Sequence, residues 1–171
     1  MNKKIRFLTK ASVIGALYAV LTIFSAVFGL AYGEIQFRIS EALTILPLFT
    51  SAAVPGLTVG CIVANIFSSV NPLDTVIGSA ATLLSAVLTR KCRGITIKGF
   101  PFLSMVFPVL FNALLVGAEI AFFSSSDSFW SAFGLCAVSV GAGEGAVVFT
   151  LGTALIIFLQ KNKRLQKIIS R

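Results

Sequence analysis

Apolar residues in this chain come in long unbroken runs instead of the short alternations of a soluble fold. Ala11 to Tyr32, Ala42 to Leu73 and Thr75 to Thr89 hold no charged side chain. Phe100 to Phe123 and Trp130 to Gln160 hold one each, Glu119 and Glu144. Such runs predict helices that cross a bilayer, because a helix satisfies its own backbone polar groups in hydrocarbon. The second run is long for one span and contains Val54-Pro55-Gly56, a helix-stopping signal. Divided there, it gives spans of roughly 12 and 15 residues, roughly 18 and 22 Å as α-helices. Spans that short need local thinning, tilt or shelter by neighbours.

The basic residues decide between five spans and six. Lys3, Lys4, Arg6 and Lys10 precede the first run, and Arg90, Lys91, Arg93 and Lys98 follow Thr89. Lys161, Lys163, Arg164, Lys167 and Arg171 close the chain. With six spans all three clusters share one side of the membrane, and of 14 basic residues only Arg38 lies elsewhere. The positive-inside rule therefore predicts an all-α membrane protein of six transmembrane helices with both termini cytoplasmic. Residues 1–171 are expected to form one integral membrane domain of the plasma membrane.

Composition supports this reading. Hydrophobic residues make up 57% and charged residues 12%, against about 25% charged in soluble domains; mean hydropathy is +0.97. The net charge of +8 belongs to membrane orientation and not to nucleic acid, since the basic residues flank apolar spans. The basic start followed by an apolar run resembles a signal peptide, but the run is about 22 residues, long enough to span. Cys61, Cys92 and Cys136 are odd in number without CxxC spacing, and histidine is absent. Neither a disulfide framework nor a metal site is expected. No P-loop, HExxH or GxSxG is present, so no enzyme and no cofactor is expected, and ATP-driven work would fall to partners.

Polar residues concentrate in Tyr32 to Pro47, where Glu34, Gln36, Arg38, Ser40 and Glu41 sit between two apolar runs. In the six-span layout Glu34, Glu41, Asp74, Glu119 and Asp127 fall at or near the outer surface, and Glu144 lies inside the last span. With Arg38 the net charge there is about −5 if every acid ionises, and acids do little to set topology. A site for a cation, or for a ligand rich in N–H donors, accounts for them better. Asn112 and Glu119, seven residues apart, are predicted to share a helix face. Helix-to-helix contact with Glu119 paired to Arg38 is the alternative.

Glu144 lies in Gly141-Ala142-Gly143-Glu144-Gly145. Glycines there allow close backbone approach, and a buried carboxylate must be paired, protonated or bound to ligand. A GxxxG packing face explains the glycines but not the glutamate. Asp74 is expected to cap a helix, Asn65 to make an interhelical or ligand contact, and Asp127 to be solvated. Tyr32, Phe37, Phe122, Phe123 and Trp130 gather at the outer interface as belt or lid residues. Ala11, Gly15 and Ala19, with Ser12 and Ala16 beside them, form a small-residue stripe for close helix contact, within this bundle or with another subunit.

The segment Tyr32-Gly33-Glu34-Ile35-Gln36-Phe37-Arg38-Ile39-Ser40-Glu41-Ala42-Leu43-Thr44 resembles the signature of the QueT family. Gly56-Leu57, Gly60-Cys61 through Asn65-Ile66-Phe67, Leu73-Asp74 through Gly78-Ser79-Ala80-Ala81-Thr82-Leu83, and Gly143-Glu144 fit the same family. These are substrate-binding S components for queuosine precursors in energy-coupling factor transporters. The resemblance implies six membrane helices and a deazaguanine-type ligand near the extracellular face. It also implies a transmembrane T component and two cytoplasmic ATPases as partners. The T component would dock on the stripe Ala11-xxx-Gly15-xxx-Ala19. An aminomethyl-deazaguanine is planar and cationic with a guanine-like donor edge, which carboxylates can accept. Glu144 and Glu119 are expected to bind it, with Asn112 reading a ring acceptor. Glu41 and Arg38 would hold the first loop over the site, with Gln36 and Asn65 as further contacts. A solitary ion-driven carrier working through Glu144 and a membrane-embedded enzyme are the competing readings.

Overall fold

The computed structural model describes residues 2–32, 36–66, 72–97, 99–124 and 128–170. Gly33, Glu34, Ile35, Phe67, Lys98 and Asp127 lie outside the described residues. Helix α1 is Lys3–Val27, followed by a 3₁₀ helix at Ile39–Leu48 and α2 at Ala53–Ile66. Then come α3, Pro72–Lys91, and α4, Phe102–Phe123, with a π turn at Asn112–Val116. Helix α5, Phe129–Lys161, carries a second π turn at Val148–Gly152, and α6 is Lys163–Ser170. By length and composition α1, α3, α4 and α5 can each cross a membrane; Ile39–Leu48 and α2 are shorter apolar helices. Large apolar side chains such as Val20, Val27, Leu135 and Val138 point outward and exposed, as a hydrocarbon surrounding requires.

Pro55 does not stop a helix. It is the third residue of α2, in the first turn, where a missing N–H breaks no intrahelical bond. The turn lies just before it, within residues 49–52.

The segment before that turn is not α-helical. Ile39–Leu48 is a ten-residue 3₁₀ helix whose Ser40, Glu41, Ala42 and Thr44 through Pro47 are buried. It packs against α1, α3 and the π turn of α5. At about 2.0 Å per residue it reaches about 20 Å, where an α-helix of ten would reach about 15 Å. Shelter by neighbours on several sides keeps its weaker backbone bonding away from lipid. Arg90 Nη1 donates to the Pro47 and Leu48 carbonyls at 3.1 and 3.5 Å, placing a cation at the negative end of the helix dipole.

Glycines bring α1 and α2 into backbone contact. A Cβ at Gly60 would lie 2.6 Å from the Gly15 oxygen, and one at Gly56 would lie 2.7 Å from the Ala11 oxygen. Gly15 and Ala19 are buried, Gly15 meeting the chain's own α2, while Ser12 and Ala16 beside them stay exposed. The apolar core, with Tyr18, Ile45, Leu57, Met105, Val148 and Ile156 among its members, lies around the 3₁₀ helix.

Candidate functional site

Four acids and one cation are buried together: Glu41, Asp74, Glu119 and Glu144 around Arg38, each less than a tenth exposed. Arg38 sits in extended backbone just before the 3₁₀ helix. Its Nε donates to the Ala31 carbonyl at 2.9 Å, and its guanidinium lies 5.0 Å from the centre of the Tyr32 ring. Nη2 stands 3.8 Å from Asp74 Oδ2. Burial works against the guanidinium charge, but the neighbouring carboxyl groups of Asp74 and Glu41 favour it, and the group stays above its ordinary pKa. Arg38 is therefore a permanent cation at the middle of the acids. Tyr32 supports it by donating to the Ala64 carbonyl at 3.0 Å, and burial pushes the Tyr32 phenol up, with Arg38 opposing.

Helix α1 fixes Glu41. Tyr18, Thr22 and Ser25 recur at i, i+4 and i+7, one helix face, and all three are buried. The Tyr18 hydroxyl donates to Glu41 Oε1. Thr22 Oγ1 and Ser40 Oγ share a hydrogen bond at 2.7 Å, and Ser25 Oγ accepts from the Ile39 N–H at 3.1 Å. Glu41 and Glu144 interact side by side, so the two carboxyls join α1, the 3₁₀ helix and α5.

Glu144 is held from α4 as well. Asn112, first residue of the π turn, donates from Nδ2 to Glu144 Oε1 at 2.9 Å. Gly143 lets the chain at Gln36 pack directly on α5, since a Cβ there would collide with the Gln36 carbonyl oxygen. Asn65 Nδ2 donates to the Asp74 carbonyl at 3.1 Å, and a Cβ at Gly78 would sit 2.8 Å from that nitrogen.

Among the described residues, four buried side-chain polar atoms lack a hydrogen-bond partner: Arg38 Nη2, Glu41 Oε2, Asn65 Oδ1 and Glu119 Oε2. Leaving such atoms unmade is costly, and native proteins hold few of them. Three belong to this cluster and the fourth, on Asn65, borders it through the Asp74 carbonyl; three of the four are acceptors.

Several expectations need correction. Asp74, expected as a helix cap, is the third residue of α3 and faces Arg38; the alternative of an Arg38 pair with Glu119 gives way to this ion pair. Arg38 and Glu41, expected to hold the first loop over the site, are buried inside, with Arg38 bonded to Ala31 and lying against Tyr32 of that chain segment. Asn112 and Glu119, expected on one helix face, are both buried, with a π turn between them that adds about one residue to the helical turn. Asn112 turns to Glu144, while Glu119 lies in the field of Asp74 and Arg38. Of the glycines around Glu144, Gly143 makes the backbone contact; the nearest atoms to a Cβ at Gly145 would be 3.9 Å away. Gln36 is buried and lends its backbone to that contact. Phe122, Phe123 and Trp130 are exposed, as a belt would be. Tyr18, Thr22 and Ser25 were missed, although their helical spacing in an apolar run was visible.

In a multi-pass helical membrane protein an acid-rich buried centre marks a functional site, and the family match makes the class a membrane transporter. Its family is specific: a family model described as QueT transporter matches residues 8–161, and the chain belongs to the QueT transporter family. The Queuosine precursor transporter QueT of Lactococcus lactis subsp. cremoris (strain MG1363) is 34% identical over 73 residues. That match covers 43% of this chain and 43% of the relative, less than half its length. No solved structure matches the chain.

Proposed function

We propose that this chain is the substrate-binding S component of an energy-coupling factor transporter, taking up a queuosine precursor of the aminomethyl-deazaguanine type. Residues 1–171 act as one unit whose α1, 3₁₀ helix, α2, α3, α4 and α5 make six passes, with both termini cytoplasmic. The single observation that carries the reading is the set of unpartnered atoms around Arg38. Three acceptors and four acids against one cation suit a ligand that is itself cationic and rich in N–H donors. Glu144 and Glu119 accept from the ring edge and the amine, Asn112 orients Glu144, and Glu41 and Asn65 supply further acceptors. Arg38 and Gln36 hold the entering chain in place.

Transport then needs a T component and two ATPases, since this chain has no nucleotide motif. The groove over Ala11, Ser12, Gly15, Ala16, Ala19 and Val59 offers small residues for a partner helix. Calorimetry with the purified protein tests the binding step. The aminomethyl-deazaguanine should bind and guanine, which lacks the amine, should bind much less tightly. A protein that ignores both bases overturns the substrate assignment. Uptake in cells without any ATPase partner would instead favour a solitary carrier.

A further inference from the structure

The end of the bundle away from the acids carries a second built feature. Lys3, Arg6 and Lys10 lie at i, i+3 and i+7 on α1, one stripe of the helix. With Arg90 of α3 and the turn at Thr50 they line a recess of about 350 Å³ that contains no acid. Lys10 Nζ donates to the Ile169 carbonyl at 2.8 Å and Arg90 to the Pro47 carbonyl at 3.1 Å. Among the described residues none of these four cations forms an ion pair with a carboxylate; Arg38 and Asp74 do.

Beside this recess, sharing Lys10 and Thr50 with it, is an almost wholly apolar crevice of about 360 Å³. Val13, Ile14 and Leu17 continue the same α1 stripe along one wall, and Leu155 and Leu159 of α5 form another. The α1 stripe thus changes from cations to hydrocarbon as it enters the membrane. Helix α6 flanks the mouth, with Ile168 and Ile169 lining the crevice and Lys163, Arg164 and Lys167 exposed. That is the pattern of a basic amphipathic helix lying in the interface.

We propose that this end binds one anionic phospholipid, its phosphate among Lys3, Arg6 and Lys10 and an acyl chain in the crevice between α1 and α5. Basic pockets between membrane helices recognise lipid headgroups by charge, and the adjoining apolar wall requires a tail. The site stands on the membrane location of the chain and not on the identity of its transported solute.

Native mass spectrometry of the full chain in detergent tests it, with dioleoyl phosphatidylglycerol and dioleoyl phosphatidylcholine offered separately. The chains are identical, so headgroup charge is the variable. The phosphatidylglycerol adduct should survive activation that strips phosphatidylcholine. Replacing Lys3, Arg6 and Lys10 together by Gln should weaken it by about tenfold or more. Leu17→Trp, which fills the crevice and leaves every cation, should weaken it too, and this exposed position keeps the test valid if the triple variant misfolds. Equal retention of the two lipids overturns the proposal, as does wild-type retention in either variant. Displacement of the lipid by equimolar glycerophosphoglycerol or inorganic phosphate overturns it in favour of a free-anion site.

Discussion

Gly143 and Gln36 are in backbone contact: a Cβ at 143 would overlap the Gln36 carbonyl oxygen and lie 3.0 Å from its carbon. That contact sits one residue from Glu144 and two from Arg38 along the chain, so it sets the spacing of the acidic cluster. Gly143→Ala should force the entering chain off α5 and cost about 1–3 kcal/mol of stability, as overpacking does. Gly145→Ala, with its nearest neighbours at 3.9 Å, should be close to neutral. Thermal melts of the two proteins in detergent, alongside ligand titration, separate these outcomes. Equal melting temperatures would show that the chain at Gln36 is not seated on α5.

The hydrogen bond from Asn112 Nδ2 to Glu144 Oε1 at 2.9 Å makes the two residues one unit. Under the proposed function, Glu144→Gln lowers affinity for the aminomethyl base, and Asn112→Ala lowers it by releasing Glu144. The double variant should lose less than the two losses added, with a coupling energy of about 1–2 kcal/mol. Calorimetry on the four proteins of the cycle measures it. Strict additivity would mean that Asn112 touches the ligand independently of Glu144, and wild-type affinity in Glu144→Gln would remove Glu144 from the site.

Tyr18 is buried in α1 and donates to Glu41 Oε1. Tyr18→Phe keeps the ring volume and removes only the donor, leaving a further unpartnered acceptor on Glu41 beside Oε2. A loss of about 1–3 kcal/mol in stability is expected, with weaker ligand binding if Glu41 lines the site. A melting temperature identical to wild type would show that Glu41 finds its proton elsewhere.

How far the sequence speaks can be judged from these same residues. The long apolar runs were legible, because bilayer thickness leaves a one-dimensional imprint; a division of the second run was foreseen too, but at Pro55, which lies inside α2, and not at the turn of residues 49–52. Glu41, Glu119, Glu144 and Asn112 stood out because a charge or amide in such runs is expensive. The 3₁₀ helix was not legible: Ile39–Leu48 mixes Ser40, Glu41 and Thr44 with apolar residues, and no spacing in it distinguishes a 3₁₀ from an α turn. The π turn at Asn112–Val116 was hidden likewise. The Asp74 pairing with Arg38 joins α3 to a distant loop, a relation that no spacing rule reports. Small residues on α1 predicted close packing, but only the partners of Gly15, namely Gly56 and Gly60, show which face is turned inward.

Arg38 provides the sharpest test of the electrostatics. It is the one buried cation among the described residues, facing Asp74 at 3.8 Å with Glu41, Glu119 and Glu144 near by. Arg38→Met preserves the apolar stem and removes the charge, leaving buried acids uncompensated, at a cost of about 3–5 kcal/mol. Arg38→Lys should fail to rescue fully, because an ammonium cannot hold the Ala31 carbonyl through Nε and reach Asp74 at once. Adding Asp74→Asn to Arg38→Met deletes one repelling charge and should restore part of the loss. Unfolding midpoints of these variants in mixed micelles supply the comparison. If Arg38→Met were as stable as wild type, the acids would have to be neutral in the resting protein, and a cationic ligand would lose its electrostatic reason to bind there.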